Sequence, residues 1–157
     1  MTSKSTNSLF FLQSNHNSAS RLVLDKSQLK HMKTKEELLE LLTGFRGSQT
    51  FYTHQLLQMR IKLTEGVMFL VREAECTWLI DAIASYQPEI KKSGNEMLQG
   101  FQIWELTREQ ECKFLLICKE DSETPPSYSQ EIEFSDFPLD KIKLWLCNTT
   151  LLLPSEY

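Results

Sequence analysis

Gly100-Phe101-Gln102-Ile103-Trp104-Glu105-Leu106 is the stretch where the sequence changes its period. Before it, apolar residues recur every three or four positions. From Phe101 onward the chain alternates, with Phe101, Ile103 and Glu105 on one side and Gln102, Trp104 and Leu106 on the other. A step near 3.6 is helical and a step of 2 is a strand. Helices first and a run of strands afterwards is an α+β order, with the helices expected to cover one face of a mainly antiparallel sheet.

Working downstream, the alternation predicts five strands, over residues 101–107, 112–119, 130–134, 141–147 and 150–153. The second carries the dense run Phe114-Leu115-Leu116-Ile117-Cys118. Residues 107–111 read as a polar turn, and Asn148-Thr149 as a two-residue turn between the last two strands. Residues 121–129 include Pro125-Pro126 and read as an exposed loop.

Working upstream, three helices are expected. Thr34-Lys35-Glu36-Glu37 has the spacing of a capping box and opens a helix over 34–44, with Leu38, Leu39, Leu41 and Leu42 as its apolar face. Tyr52, Leu56 and Met59 define a second helix over 50–61. Val67, Leu70, Val71, Ala74, Trp78 and Ala82 mark one long helix over 64–86, which Pro88 and then residues 91–95 end in a loop.

The 157 residues fit one domain, placed at residues 29–157, behind a flexible Ser- and Asn-rich arm over 1–28 that holds one sticky patch at Leu9–Leu12. No apolar run approaches the roughly 18–20 residues of a membrane span, and Leu9–Leu12 is too short for a secretory signal. Cys76, Cys112, Cys118 and Cys147 match no zinc-binding spacing and read as small hydrophobes, with a reducing cytoplasm as the simplest setting.

The net charge is −4, and its distribution is uneven. Residues 1–36 hold six basic and two acidic side chains; residues 101–137 hold three and nine. That polarity can orient a partner. Lys26, Lys30, Lys33 and Lys35 make a basic stripe, and Trp104, Trp145 and Tyr128 are able to stack bases. The acidic strand region repels phosphates, however, so the balance argues against nucleic acid.

Six phrases are familiar together: Phe51-Tyr52-Thr53-His54, Leu63-Thr64-Glu65-Gly66-Val67, Trp78 to Gln87, Phe101 to Leu106, Asp136-Phe137-Pro138-Leu139-Asp140, and the terminal Leu151-Leu152-Leu153-Pro154-Ser155-Glu156-Tyr157. Over residues 43–157 the chain resembles a family of small uncharacterised bacterial proteins, also met on plasmids and in phages and known only as a domain of unknown function. The resemblance implies a bacterial cytoplasm with mobile elements, and supplies no activity, cofactor or catalytic residue.

Chemistry needs a nucleophile, a base and an orienting group. His16, His31 and His54 are the histidines, and only His54 lies within the recognised region. Asp81 is the carboxylate expected to orient it, with Ser85 one turn further on. Five scattered glycines form no phosphate loop, there is no nucleophile elbow, and no cofactor or metal is expected.

The first functional reading is therefore a non-catalytic module that binds a protein partner, or a second copy of itself, through Glu131, Glu133, Tyr128 and Pro126. The alternative is a small hydrolase-type enzyme using His54 with Asp81 and, in one version, Glu156. The C-terminal Pro154-Ser155-Glu156-Tyr157, coming straight off an apolar strand, reads as an anchored structural end or a docking point, with the anchored end favoured.

Overall fold

The computed structural model describes residues 33–157. The expected arm at 1–28, with Leu9–Leu12 and His16, lies outside the described residues, as does His31.

Among the described residues, four α-helices and seven strands follow in the order α1 (Lys35–Thr43), β1 (Tyr52–Leu56), β2 (Met59–Leu63), α2 (Glu65–Glu73), α3 (Thr77–Ser93), α4 (Glu96–Gly100), β3 (Phe101–Gln110), β4 (Lys113–Lys119), β5 (Tyr128–Ile132), β6 (Lys141–Cys147) and β7 (Thr150–Leu152). A 3-10 turn, Pro154–Glu156, closes the chain. One sheet holds all the strands in the order β1-β2-β7-β6-β3-β4-β5. Only the β2–β7 pair is parallel.

The capping box forms as expected: Thr34 Oγ1 accepts from the Glu37 amide at 3.2 Å, and the Thr34 amide donates to Glu37 Oε2 at 2.8 Å. Of the four leucines, only Leu38 and Leu42 are buried. They are four apart and stack on one stripe, whereas Leu39 and Leu41 fall on its solvent side.

The helix expected over 50–61 is instead the β1–β2 hairpin, turning through Leu57-Gln58. The reason is a coincidence of spacing. Tyr52, His54 and Leu56 are half-buried and alternate with exposed Thr53 and Gln55. The two-residue turn then resets the phase to Met59, Ile61 and Leu63. Tyr52, Leu56 and Met59 thus stand at helical intervals while obeying a period of 2 on each arm.

The single helix expected over 64–86 is two. Glu75 takes a left-handed φ of 49°, and the Cys76 amide donates back to the Val71 carbonyl at 3.2 Å, closing α2 in a Schellman-type stop built on a non-glycine residue. Helix α3 then runs through Pro88 to Ser93, where Gly94 caps it at φ 71°. Proline cannot donate to the Ala84 carbonyl, yet the loss of that one bond does not end the helix, which continues to Ser93.

The strand region follows the expectation more closely, with shifts at its ends. β3 runs on to Gln110 across an irregularity between Arg108 and Gln110, so the turn shrinks to Glu111-Cys112. β5 is Tyr128–Ile132, two residues earlier than expected, because pairing with β4 ends at Phe114 opposite Ile132. Register puts Ile61, Leu63, Leu151, Leu146, Leu144, Trp104, Leu106, Phe114, Leu116 and Cys118 on the face beneath the helices, where they form the core with Val67, Leu70, Leu79, Ile80 and Ile83.

An amide pair, Gln102 buried and Gln87 half-buried, borders that core. Gln87 and Gln102 exchange reciprocal hydrogen bonds at 2.9 Å, and the indole N–H of Trp104 donates to Gln102 Oε1 at 2.8 Å. The second amide proton on each side reaches the carbonyls of Ile83 and Leu98. α3, α4 and β3 are tied together with no polar atom of either amide wasted.

Candidate functional site

His54 lies in the middle of edge strand β1, on the face turned toward α3, and Asp81 lies in the second turn of α3. His54 Nε2 and Asp81 Oδ1 are 2.7 Å apart. An ionised carboxylate only accepts, so Nε2 carries the proton and donates. The two side chains keep 19% and 44% of their exposure, which places the pair at the rim of the helix–sheet interface. Residues 27 positions apart meet because the β1–β2 hairpin folds back under α3. The expected Ser85 does not join them: it is exposed, and its hydroxyl donates to the Ala82 carbonyl at 2.7 Å.

Glu156 belongs to a different place. One of its oxygens accepts from the Ser48 hydroxyl at 2.8 Å and the Gly66 amide at 3.0 Å; the other accepts from the Thr64 hydroxyl at 2.5 Å and the Leu153 amide at 3.0 Å. Four donors saturate a carboxylate seated at the N-terminus of α2, where the helix dipole favours an anion. The expected catalytic version of Glu156 is set aside on this geometry, and the C-terminal turn is an anchored end. Tyr157 beyond it stays exposed while its ring meets the edge of Trp145 at 5.4 Å.

The expected partner-binding residues fall on edge strand β5 and its flanks, but not on one surface. Glu131 is opposite Leu115 and faces away from the helices. Tyr128, three positions earlier, is opposite Cys118 and faces toward them, with its ring 5.4 Å from that of Tyr86. Glu133 pairs with Lys113 at 3.2 Å, and Phe134 beside it is 76% exposed. Pro125 and Pro126 are both exposed, as expected.

The acidity of this region is partly neutralised inside the fold. Glu105, buried on the outer face, lies 3.1 Å from Lys141 and 3.2 Å from Lys143. Burial pushes its carboxyl upward, but the two ammonium groups outweigh that and hold it below the usual glutamate range. Asp140 is likewise drawn down by Lys35 and Arg108. Lys33 and Lys35, half of the expected basic stripe, are engaged with Glu73 and Asp140.

Cys76 and Cys118 are buried thiols, each pushed up to about 12 by desolvation, so neither is a nucleophile at neutral pH. Among the described residues no cluster of three or more His, Cys, Asp and Glu side chains is arranged to hold a metal ion. No helix among them is long and apolar enough to cross a membrane.

Fold and site together define an α+β protein built on one mostly antiparallel sheet, with a histidine–carboxylate pair at one edge and a strand carrying exposed Glu131 at the other. Residues 36–157 match the model of a family of unknown function, DUF6876, and the chain belongs to that family. No curated protein and no solved structure matches.

Proposed function

We propose that the chain is a non-catalytic protein-interaction module, acting in a bacterial cytoplasm and associated with plasmids or phage. The observation that carries this reading is β5. It is the last strand of the sheet, and its outer edge is unpaired among the described residues. Exposed Ser129 and Glu131 alternate along it with half-buried Tyr128, Gln130 and Ile132. An open edge is a template for an added strand, and charge on it selects which strand is admitted. Phe134 and the Pro125-Pro126 loop flank the edge and offer apolar contacts at both ends, with Tyr128 supporting the strand from beneath.

The test is capture of a stoichiometric partner from the organism that encodes the chain, compared with Glu131→Lys/Glu133→Lys. Capture should fall at least about tenfold while the melting temperature holds, since exposed positions of this kind shift stability by only about 0.5 kcal/mol. Undiminished capture removes β5 from the interface.

The 2.7 Å contact between His54 and Asp81 favours one second reading, a hydrolase-type dyad. A positioned base still needs a nucleophile or an oriented water. Turnover of an activated ester that is unchanged in His54→Ala ends this alternative.

A further inference from the structure

At the other end of the sheet, the β1–β2 turn and the second half of α3 bound an open groove of about 730 Å3. Leu56, Leu57 and Met59 line it from the hairpin, and Ala84 and Pro88 from the helix, with Lys91 and Lys92 at its end. That volume lies within the roughly 300–1,000 Å3 of small-molecule sites.

Three observations say what it takes. First, Leu57 is 87% exposed and holds a left-handed φ of 53°. Glycine or asparagine would suit that backbone better and would not leave an apolar side chain in water. A leucine at the lip of an apolar groove gains from being covered.

Second, the charges lining the groove have one sign. Lys91 and Lys92 line it, and an adjoining pocket of about 180 Å3, which shares Met59 and Lys91, adds Arg60. Glu89, next to Pro88 in sequence, is exposed and outside the lining of both. Asp81, one turn before Ala84, is likewise outside the lining of both and is engaged with His54, so the two lysines alone set the direction of a ligand.

Third, the length is short. Ala84 to Lys92 spans about 12 Å of helix, room for an extended aliphatic chain of about ten carbons. A peptide strand would place only about three or four residues there.

The geometry points to a binding site for a single-chain amphiphile, a medium-chain carboxylate of about ten carbons. Its tail lies between the hairpin turn and α3, and its head lies at Lys91 and Lys92. The carbonyl end of α3 opposes an anion at this spot, so the lysines must outweigh it, and their removal should do more than trim affinity. This site is independent of the β5 edge, and either assignment can fail alone.

The experiment titrates the full-length chain with 13C-carboxyl decanoate below its micelle concentration, following the carboxyl resonance and intermolecular NOEs. Decanol and decyltrimethylammonium serve as probes of the same length. Saturable binding is expected, with NOEs to the methyl groups of Leu57 and Met59 in the unmodified chain. Lys91→Gln/Lys92→Gln should weaken decanoate at least about tenfold and leave decanol unchanged. Ser85→Trp, whose fold is checked by circular dichroism, should lose both.

Absence of saturation by about 1 mM overturns the proposal. So does equal affinity for decyltrimethylammonium, or NOEs confined to other residues. Self-association that Ser85→Trp abolishes and decanoate does not compete assigns the groove to a second copy and also overturns it.

Discussion

The α-carbon of Gly66 faces the carboxylate of Glu156 so closely that a β-carbon added there would stand 2.8 Å from Oε2 and 2.6 Å from Cδ1 of Leu153. Gly66 is needed for this close approach, since it lies in the first turn of α2 with ordinary helical backbone. Thr64 completes the arrangement: its hydroxyl accepts from the Val67 amide as the helix cap and donates its proton to Glu156. The last residues of the chain are thereby locked onto the start of a central helix.

Gly66→Ala should accordingly destabilise the protein by about 1–3 kcal/mol, because Leu153 and Glu156 must both shift. Glu156→Gln should cost about 1–3 kcal/mol as well, since one oxygen that accepts two donors becomes an amide that presents protons to them. Urea unfolding measures both. A double variant less destabilised than the sum of the two singles would show that the sites act as one unit.

Gln102→Leu should remove about 1–3 kcal/mol despite the similar volume, because it leaves the buried Trp104 indole N–H without its acceptor and takes the Gln102 partner from the half-buried Gln87 amide. Replacing both Gln87 and Gln102 by apolar residues should recover part of that loss. Thermal unfolding of the two variants beside the unmodified chain, with tryptophan fluorescence as reporter, decides the matter.

Glu75→Gly should raise stability by about 0.5–1 kcal/mol. Glu75 is exposed, it holds φ 49° at the end of α2, and glycine adopts that conformation without the β-carbon clash. A Glu75→Ala control keeps the strain and should show no gain.

The folded carboxyl of Glu105 titrates below its ordinary value of 4.5, so the protonated form is disfavoured in the native state. Its stabilisation is complete above the unfolded pKa and is lost as pH falls through the lower, folded pKa. Melting temperature should therefore drop on acidification below about pH 4.5, and Glu105→Gln should flatten that limb of the curve. An unchanged acid limb in the variant would remove Glu105 as its source.

Much of the strand half of the fold was legible before any coordinates. Thr34 to Glu37 announced a helix start, and residues 141–147 alternated cleanly because half of each strand faces a core and half does not. The hairpin at 52–63 was illegible because a two-residue turn between alternating arms reproduces helical spacing. The break after α2 was hidden for a related reason: Glu75 adopts a backbone that glycine would have signalled. At the candidate site, His54 was singled out as the histidine within the region of family resemblance and Asp81 by its place one turn before Ser85, and the exposure of Pro126 was legible from its Pro-Pro loop.

Local preference and hydrophobic period, which reside in neighbouring residues, determined the α+β order, the capped first helix and most strands of the sheet. Register, face and long-range pairing were decided only in the tertiary structure. It set Glu156 beneath α2, turned Tyr128 away from Glu131, joined Gln87 to Gln102 and brought His54 to Asp81. Such contacts depend on how distant segments share one core, and no window of sequence contains both partners.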